Sequence, residues 1–163
     1  MRKTIITQHQ SVLTTIPCSP ACLDLEQLAQ LEISSEAPDY PIEAAFLSNS
    51  ESGWRAAFSG EQIIRVIFDQ PLTIKRIRLV FNEQHCSRTQ EFVLRWTTGN
   101  GVVNEIIRQQ YHFSPPDTIS EMEDYAVNLP QLKMLELTLN PDINNDQAFA
   151  SLKNLKLWQH ENI

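Results

Sequence analysis

Residues 42–81 read IEAAFLSNSESGWRAAFSGEQIIRVIFDQPLTIKRIRLVF. A polar loop leads to Gly53-Trp54-Arg55, and two alternating segments follow, QIIRVIFD and TIKRIRLVF, joined across Gln70-Pro71. Side chains alternate faces along a strand, so Ile64, Val66 and Phe68 share one face while Ile63, Arg65 and Ile67 share the other. By the same alternation Ile77, Leu79 and Phe81 oppose Arg76 and Arg78. The stretch predicts two strands of a small antiparallel sandwich, neighbours in space and interrupted at the proline.

The same period of two recurs on both sides of this core. LAQLEISSE (28–36) predicts a strand ending in Ser34-Ser35, and CLDLEQLAQL before it allows a helical turn or two. EFVLRWTT (91–98) sets Phe92, Leu94 and Trp96 against Val93, Arg95 and Thr97, and stops at Gly99-Asn100-Gly101, a hairpin signal. VNEIIRQQYHF, a Ser-Pro-Pro-Asp turn, the acidic ISEMEDYAVNL, KMLELTLN and ASLKNLKLW complete the series. In KMLELTLN, Leu135, Leu137 and Leu139 face away from Met134, Glu136 and Thr138. Strands at this spacing describe a sandwich or barrel, not a βαβ pattern.

At 163 residues and 42% hydrophobic the chain suits one compact domain. The reading divides it into an N-terminal extension, 1–26, and a β-sandwich domain, 27–163. No apolar run approaches the roughly 20 residues that cross a bilayer, and Gln8, His9 and Gln10 break the apolar core a secretory signal requires. A cytoplasmic protein is the expectation. Cys18, Cys22 and Cys86 are an odd set, read as free thiols, and the four histidines are too scattered for a zinc site.

The formal net charge is −7, which argues against a general nucleic-acid binder. The charge is uneven: residues 55–108 carry eight basic and five acidic side chains, a local +3. Arg76 and Arg78 are read as a solvated face, with recruitment of an anionic ligand as the alternative. No GxSxG elbow, phosphate-binding GxxxxGK, dinucleotide GxGxxG or HExxH is present. Glu121, Glu123 and Asp124 are acidic enough to pair carboxylates for hydrolysis but are read as a solvated acidic segment. Cys86 and His85 are adjacent, and on a strand they would point apart.

The order of short motifs resembles the discoidin, or coagulation-factor type C, domain of the galactose-binding-like jelly-roll superfamily. Those motifs are Ile33-Ser34-Ser35, Gly53-Trp54-Arg55, Gln62 to Phe68, Ile77 to Phe81, Leu135 to Leu139 and Ala150 to Leu157, and together they span 28–158. RTQEFVLRW and RQQYHFSPP are also similar to a group of small bacterial proteins of this fold with no assigned activity. The resemblance implies an all-β antiparallel jelly-roll sandwich that binds ligands, without catalysis, through loops at one end.

Here the matching loops are 48–52, 82–88 and 140–147. Carbohydrate is the leading ligand class implied, with a protein partner, as in the Doc domain, and nicked DNA as rivals. The candidate ligand residues are His85, Arg88, Asn49, Asn82 and Asn144, whose amides, imidazole and guanidinium suit sugar hydroxyls. Stacking on a sugar ring would come from Tyr40, Trp54, Tyr111 or His85, and packing is the expectation for Trp54, Trp96 and Trp158. Calcium is a weak candidate cofactor, through Asp142 and Asp146 with Asn144 and Asn145. The loops offer no Trp or Phe and only Ile143 as a large apolar residue, so membrane insertion is not expected.

Overall fold

The computed structural model describes residues 2–6, 10–12, 22–47 and 51–160. The described residues form ten strands: β1 (Arg2–Ile5), β2 (Gln10–Val12), β3 (Ala29–Ile33), β4 (Trp54–Ser59), β5 (Gln62–Asn82), β6 (Arg88–Thr98), β7 (Val103–Phe113), β8 (Ser120–Asn140), β9 (Phe149–Leu152) and β10 (Asn154–Trp158). A helical turn α1 (Leu25–Leu28) precedes β3, and a 3₁₀ turn spans Ile42–Phe46.

The proline at 71 bends a strand and does not end one. QIIRVIFD and TIKRIRLVF form the single 21-residue strand β5, and ISEMEDYAVNL and KMLELTLN likewise merge into the 21-residue β8. The two pair antiparallel from Gln62↔Leu139 to Asn82↔Ser120, with register shifts between Ile67 and Arg76. Pro71, Pro130 and Gln131, whose φ is +56°, sit at this level. Proline removes a ladder donor, so the regular pairing lapses there and resumes in a shifted register. The Lys133 ammonium donates to the carbonyls of Phe68 and Asp69 at 2.6 and 3.0 Å, serving acceptors at the bend.

Each long strand thereby serves both layers. The first half of β5 lies between β3 and the second half of β8, which in turn pairs with β6, and β6 with β7. The second half of β5 lies between β10 and the first half of β8. β4 and β9 form a separate two-stranded ribbon. Inward residues of the two layers meet: Phe81 of β5 and Phe92 of β6 have ring centroids 5.3 Å apart. The expected faces hold, with Ile64, Val66, Phe68, Ile77, Leu79, Phe81, Leu135, Leu137 and Leu139 all buried. Trp54 is fully buried, Trp158 nearly so, and Trp96 packs against the core.

Three of the six motifs that carried the resemblance, 33–35, 53–55 and 62–68, converge on one hydrogen-bonded node. Trp54 Nε1 donates to the Ser35 carbonyl at 2.9 Å, and both the Ser34 and Ser35 hydroxyls donate to Gln62 Oε1. Those hydroxyls also accept from the backbone N–H groups of Ile63 and Ala57. Gly53 enters this node at φ +67°, with the Leu152 carbonyl where a Cβ would stand. The segment read as an N-terminal extension contains β1, which pairs in parallel with β3 and antiparallel with β2. Its Lys3 is buried and bonds Glu36 at 2.7 Å and Glu43 at 2.5 Å.

Candidate functional site

Three connections end at the same pole of the sandwich: those after β5, after β8, and before β4. At the first, Glu83 organises the turn. Its Oε2 accepts from the backbone N–H groups of His85 and Cys86, at 3.0 and 3.3 Å, and its Oε1 accepts from Arg88 Nε at 2.6 Å. Burial works against ionisation of Glu83, but the Arg88 guanidinium and the two N–H donors outweigh it and hold the carboxyl below its ordinary range. His85 and Cys86 lie in this turn, both exposed, and not on a strand.

Arg88 does not reach the ligand surface expected for it. It is buried, its guanidinium lies 4.8 Å from the Phe113 ring centroid, and Nη1 donates to Gln90 Oε1 and to the Pro141 carbonyl. It fastens the 82–88 turn to the 140–148 connection from inside. Ile143 N to Thr89 O, at 2.8 Å, and Thr89 N to Asp142 Oδ1, at 3.3 Å, complete the fastening. Gln90 Nε2 passes the network on to Glu121 Oε1 at 3.1 Å. Glu121 is therefore no part of a solvated acidic segment, because on this register it faces inward, opposite Phe81. Burial, with Glu123 nearby, pushes its carboxyl up to about 8. Arg88 Nη2 and Glu121 Oε2 are both buried without a protein partner.

A cleft of roughly 330 Å³ opens above this anchor, lined by Tyr40, Glu51, Ser52, Arg55, Asn82, Glu83, Gln84 and His85. The Arg55 guanidinium carbon sits 4.9 Å from the Tyr40 ring centroid. The backbone fixes the pair: Arg55 N donates to Tyr40 O at 3.2 Å and Ala37 N to Arg55 O at 2.8 Å. The Tyr40 loop is itself held from below, since Glu36 accepts from both buried Lys3 and Ile42 N. Of the sequence candidates, His85 and Asn82 meet here, and Asn49 lies outside the described residues.

Asn144 belongs to a second groove, with Gly60, Glu61, Asn140, Asp142, Ile143, Asn145 and Asp146. Asp142 Oδ1 is occupied by the N–H groups of Thr89 and Asn144. Among the described residues no three His, Cys, Asp or Glu side chains converge on a possible metal position. Arg55 was legible only as part of the Gly-Trp-Arg motif. Its exposure follows from alternation, because buried Trp54 turns the next side chain outward.

The arginines in the middle of the chain pair with carboxylates, mostly on neighbouring strands. Arg76 and Arg78 both pair with Asp124 and both lie over the Trp158 ring, at 5.1 and 5.3 Å. Arg65 and Arg95 share Glu136, and Arg108 pairs with Glu91 and Glu105.

No family model matches the sequence, and no curated protein matches it significantly. Solved structures do. A family 32 carbohydrate-binding module from the Clostridium perfringens protein NanJ, in complex with galactose, superposes with a TM-score of 0.59 at 12% identity, covering 85% of this chain and 98% of that one. The corresponding module of AlyQ, in complex with 4,5-unsaturated mannuronic acid, gives 0.57 at 15% identity over 80% and 94%. A chitosan-binding module of a Paenibacillus chitosanase/glucanase gives 0.53 at 15% identity over 80% and 94%. The chain shares their fold, an all-β jelly-roll sandwich.

Proposed function

We propose that this protein is a non-catalytic carbohydrate-binding module whose site is the cleft between Tyr40, Arg55, Asn82 and His85. The observation that carries the reading is the make-up of that cleft. An aromatic ring, a guanidinium, two amides, an imidazole and carboxylates converge at the loop end of a jelly roll. This is the mixture that hydroxyl-rich ligands need, since each ring hydroxyl both donates and accepts while the ring's C–H face packs on an aromatic. The neighbours with bound saccharides share the fold at low identity, and they support the sugar class over a protein partner.

Nicked DNA is disfavoured by the net charge of −7 and by the pairing of the middle arginines with carboxylates, which competes with phosphate contacts. A cytoplasmic setting is part of the same proposal, and Cys86 is an exposed free thiol.

The test is a glycan-array screen of the purified protein with calcium and with chelator, repeated on Arg55→Ala and His85→Ala. Binding that both variants lose, with unchanged thermal melts, supports the site. A blank array overturns the sugar reading and turns attention to a protein partner.

A further inference from the structure

The cleft borders the β4–β9 ribbon. Arg55, in its wall, is the cross-strand partner of Ser151, and the Ser151 hydroxyl donates to the carbonyl of Asn82, also in the wall, at 3.5 Å. Ser151 thus adjoins the cleft from β9. On that strand Ala150 and Leu152 are fully buried, so Ser151 and Phe149 share the outer face.

Phe149 is 49% exposed, and stands two residues from Ser151, about 7 Å along the strand. Ser59 is its cross-strand partner, and the residue before that, Phe58, is 52% exposed. Past Phe149 the chain meets the second groove, where Gly60 N donates to Ala148 O at 2.9 Å. Along β9, then, Ser151 beside the polar cleft, the exposed Phe149 and Ala148 beside the amide-rich groove follow one another in sequence.

We propose that the ligand is an extended oligosaccharide chain, whose first unit occupies the Tyr40–Arg55 cleft and whose following units run over Ser151 and pack on Phe149 toward the second groove. This rests on the carbohydrate reading of the cleft and names the size class of its ligand. Hydrogen-bonding surface followed by an exposed aromatic suits a polymer, whose successive rings offer hydroxyl edges and apolar faces. A single sugar residue would leave Phe149 untouched.

Calorimetric titration with two chain-length series, β-1,4-linked galactose and β-1,4-linked mannuronate of one to four units, tests this on wild type, Phe149→Ala, Phe149→Trp and Arg55→Ala. The expected result is affinity that rises with length. Phe149→Ala should lose about tenfold for the tetramer and less than twofold for the monomer, and Phe149→Trp should restore the tetramer. Arg55→Ala should weaken every length. Length-independent affinity that Phe149→Ala leaves intact, with Arg55→Ala still impaired, overturns the extended surface and spares the cleft. Failure of wild type to bind any member of either series overturns both.

Discussion

Buried Arg88 and half-buried Glu83 form an ion pair, Nε to Oε1 at 2.6 Å, that closes the turn carrying His85 from the core side. The pair decides what substitutions near the site mean. A variant at Arg88 reads out loop architecture, whereas variants at Arg55 and His85 read out contact with a ligand.

Arg88→Ala should therefore destabilise the fold by about 3–5 kcal/mol, because it strands the Glu83 carboxylate and the Pro141 carbonyl that the guanidinium serves. Chemical denaturation measures this directly. A loss below about 1 kcal/mol, the level of an exposed pair, would sink the anchoring role.

Lys3→Ala should cost a similar amount, about 3–5 kcal/mol, since it leaves Glu36 and Glu43 facing each other's charge in a buried setting. The same variant should loosen the loop that presents Tyr40, seen as faster amide exchange at Ile42, whose N–H bonds Glu36. Exchange at Ile42 equal to wild type would separate β1 from the site.

Glu121 should make the protein less stable in mild alkali. Its carboxyl is raised from 4.5 to about 8 in the folded state, so between those values the native protein keeps a proton that the unfolded chain has released. Stability contributed by this group is full below the unfolded value, declines as pH rises, and is gone above about 8. Glu121→Gln should flatten the decline and raise the melting temperature at pH 9 relative to wild type. Parallel melting curves for the two proteins across pH 5–9 would contradict the assignment.

Gly53→Ala should be among the most damaging single-methyl additions available. The position combines φ +67° with a Cβ that would stand 2.4 Å from the Leu152 carbonyl oxygen. The positive φ alone costs about 1–3 kcal/mol and the backbone clash adds to it. Thermal melting of the variant within a degree or two of wild type would show that the Trp54 node does not require this approach.

Much of the fold was legible along the chain. The alternations 64–68, 77–81 and 135–139 named the buried faces, because a period of two places every second side chain on the same side whatever the partner strand is. The Gly99-Asn100-Gly101 turn likewise named the β6–β7 hairpin, with Gly101 at φ +85° and its N–H on the Thr98 carbonyl.

The continuity of β5 through Pro71 was not legible. A proline forbids one ladder bond, and whether the chain then turns back or bends and continues depends on β8, whose own break at Pro130 falls at the same level. The site divides the same way. His85 and Asn82 could be named from loop chemistry, yet the distinction between Arg88 and Arg55 could not. Both are arginines beside predicted loops, and one is buried under Phe113 while the other lies open over Tyr40.

By itself, then, the sequence determined the strands, their inward faces and the loop end at which polar residues gather. These follow from local steric rules and from the order of motifs, which needs no long-range information. Only the tertiary structure decided that Lys3 belongs to the sheet, that Glu121 is an interior acid, and that Tyr40, Arg55 and His85 share one cleft. Those are properties of juxtaposition between residues tens of positions apart. Burial and electrostatics act through space, so the protonation and accessibility of a side chain are set by neighbours that the chain order does not specify.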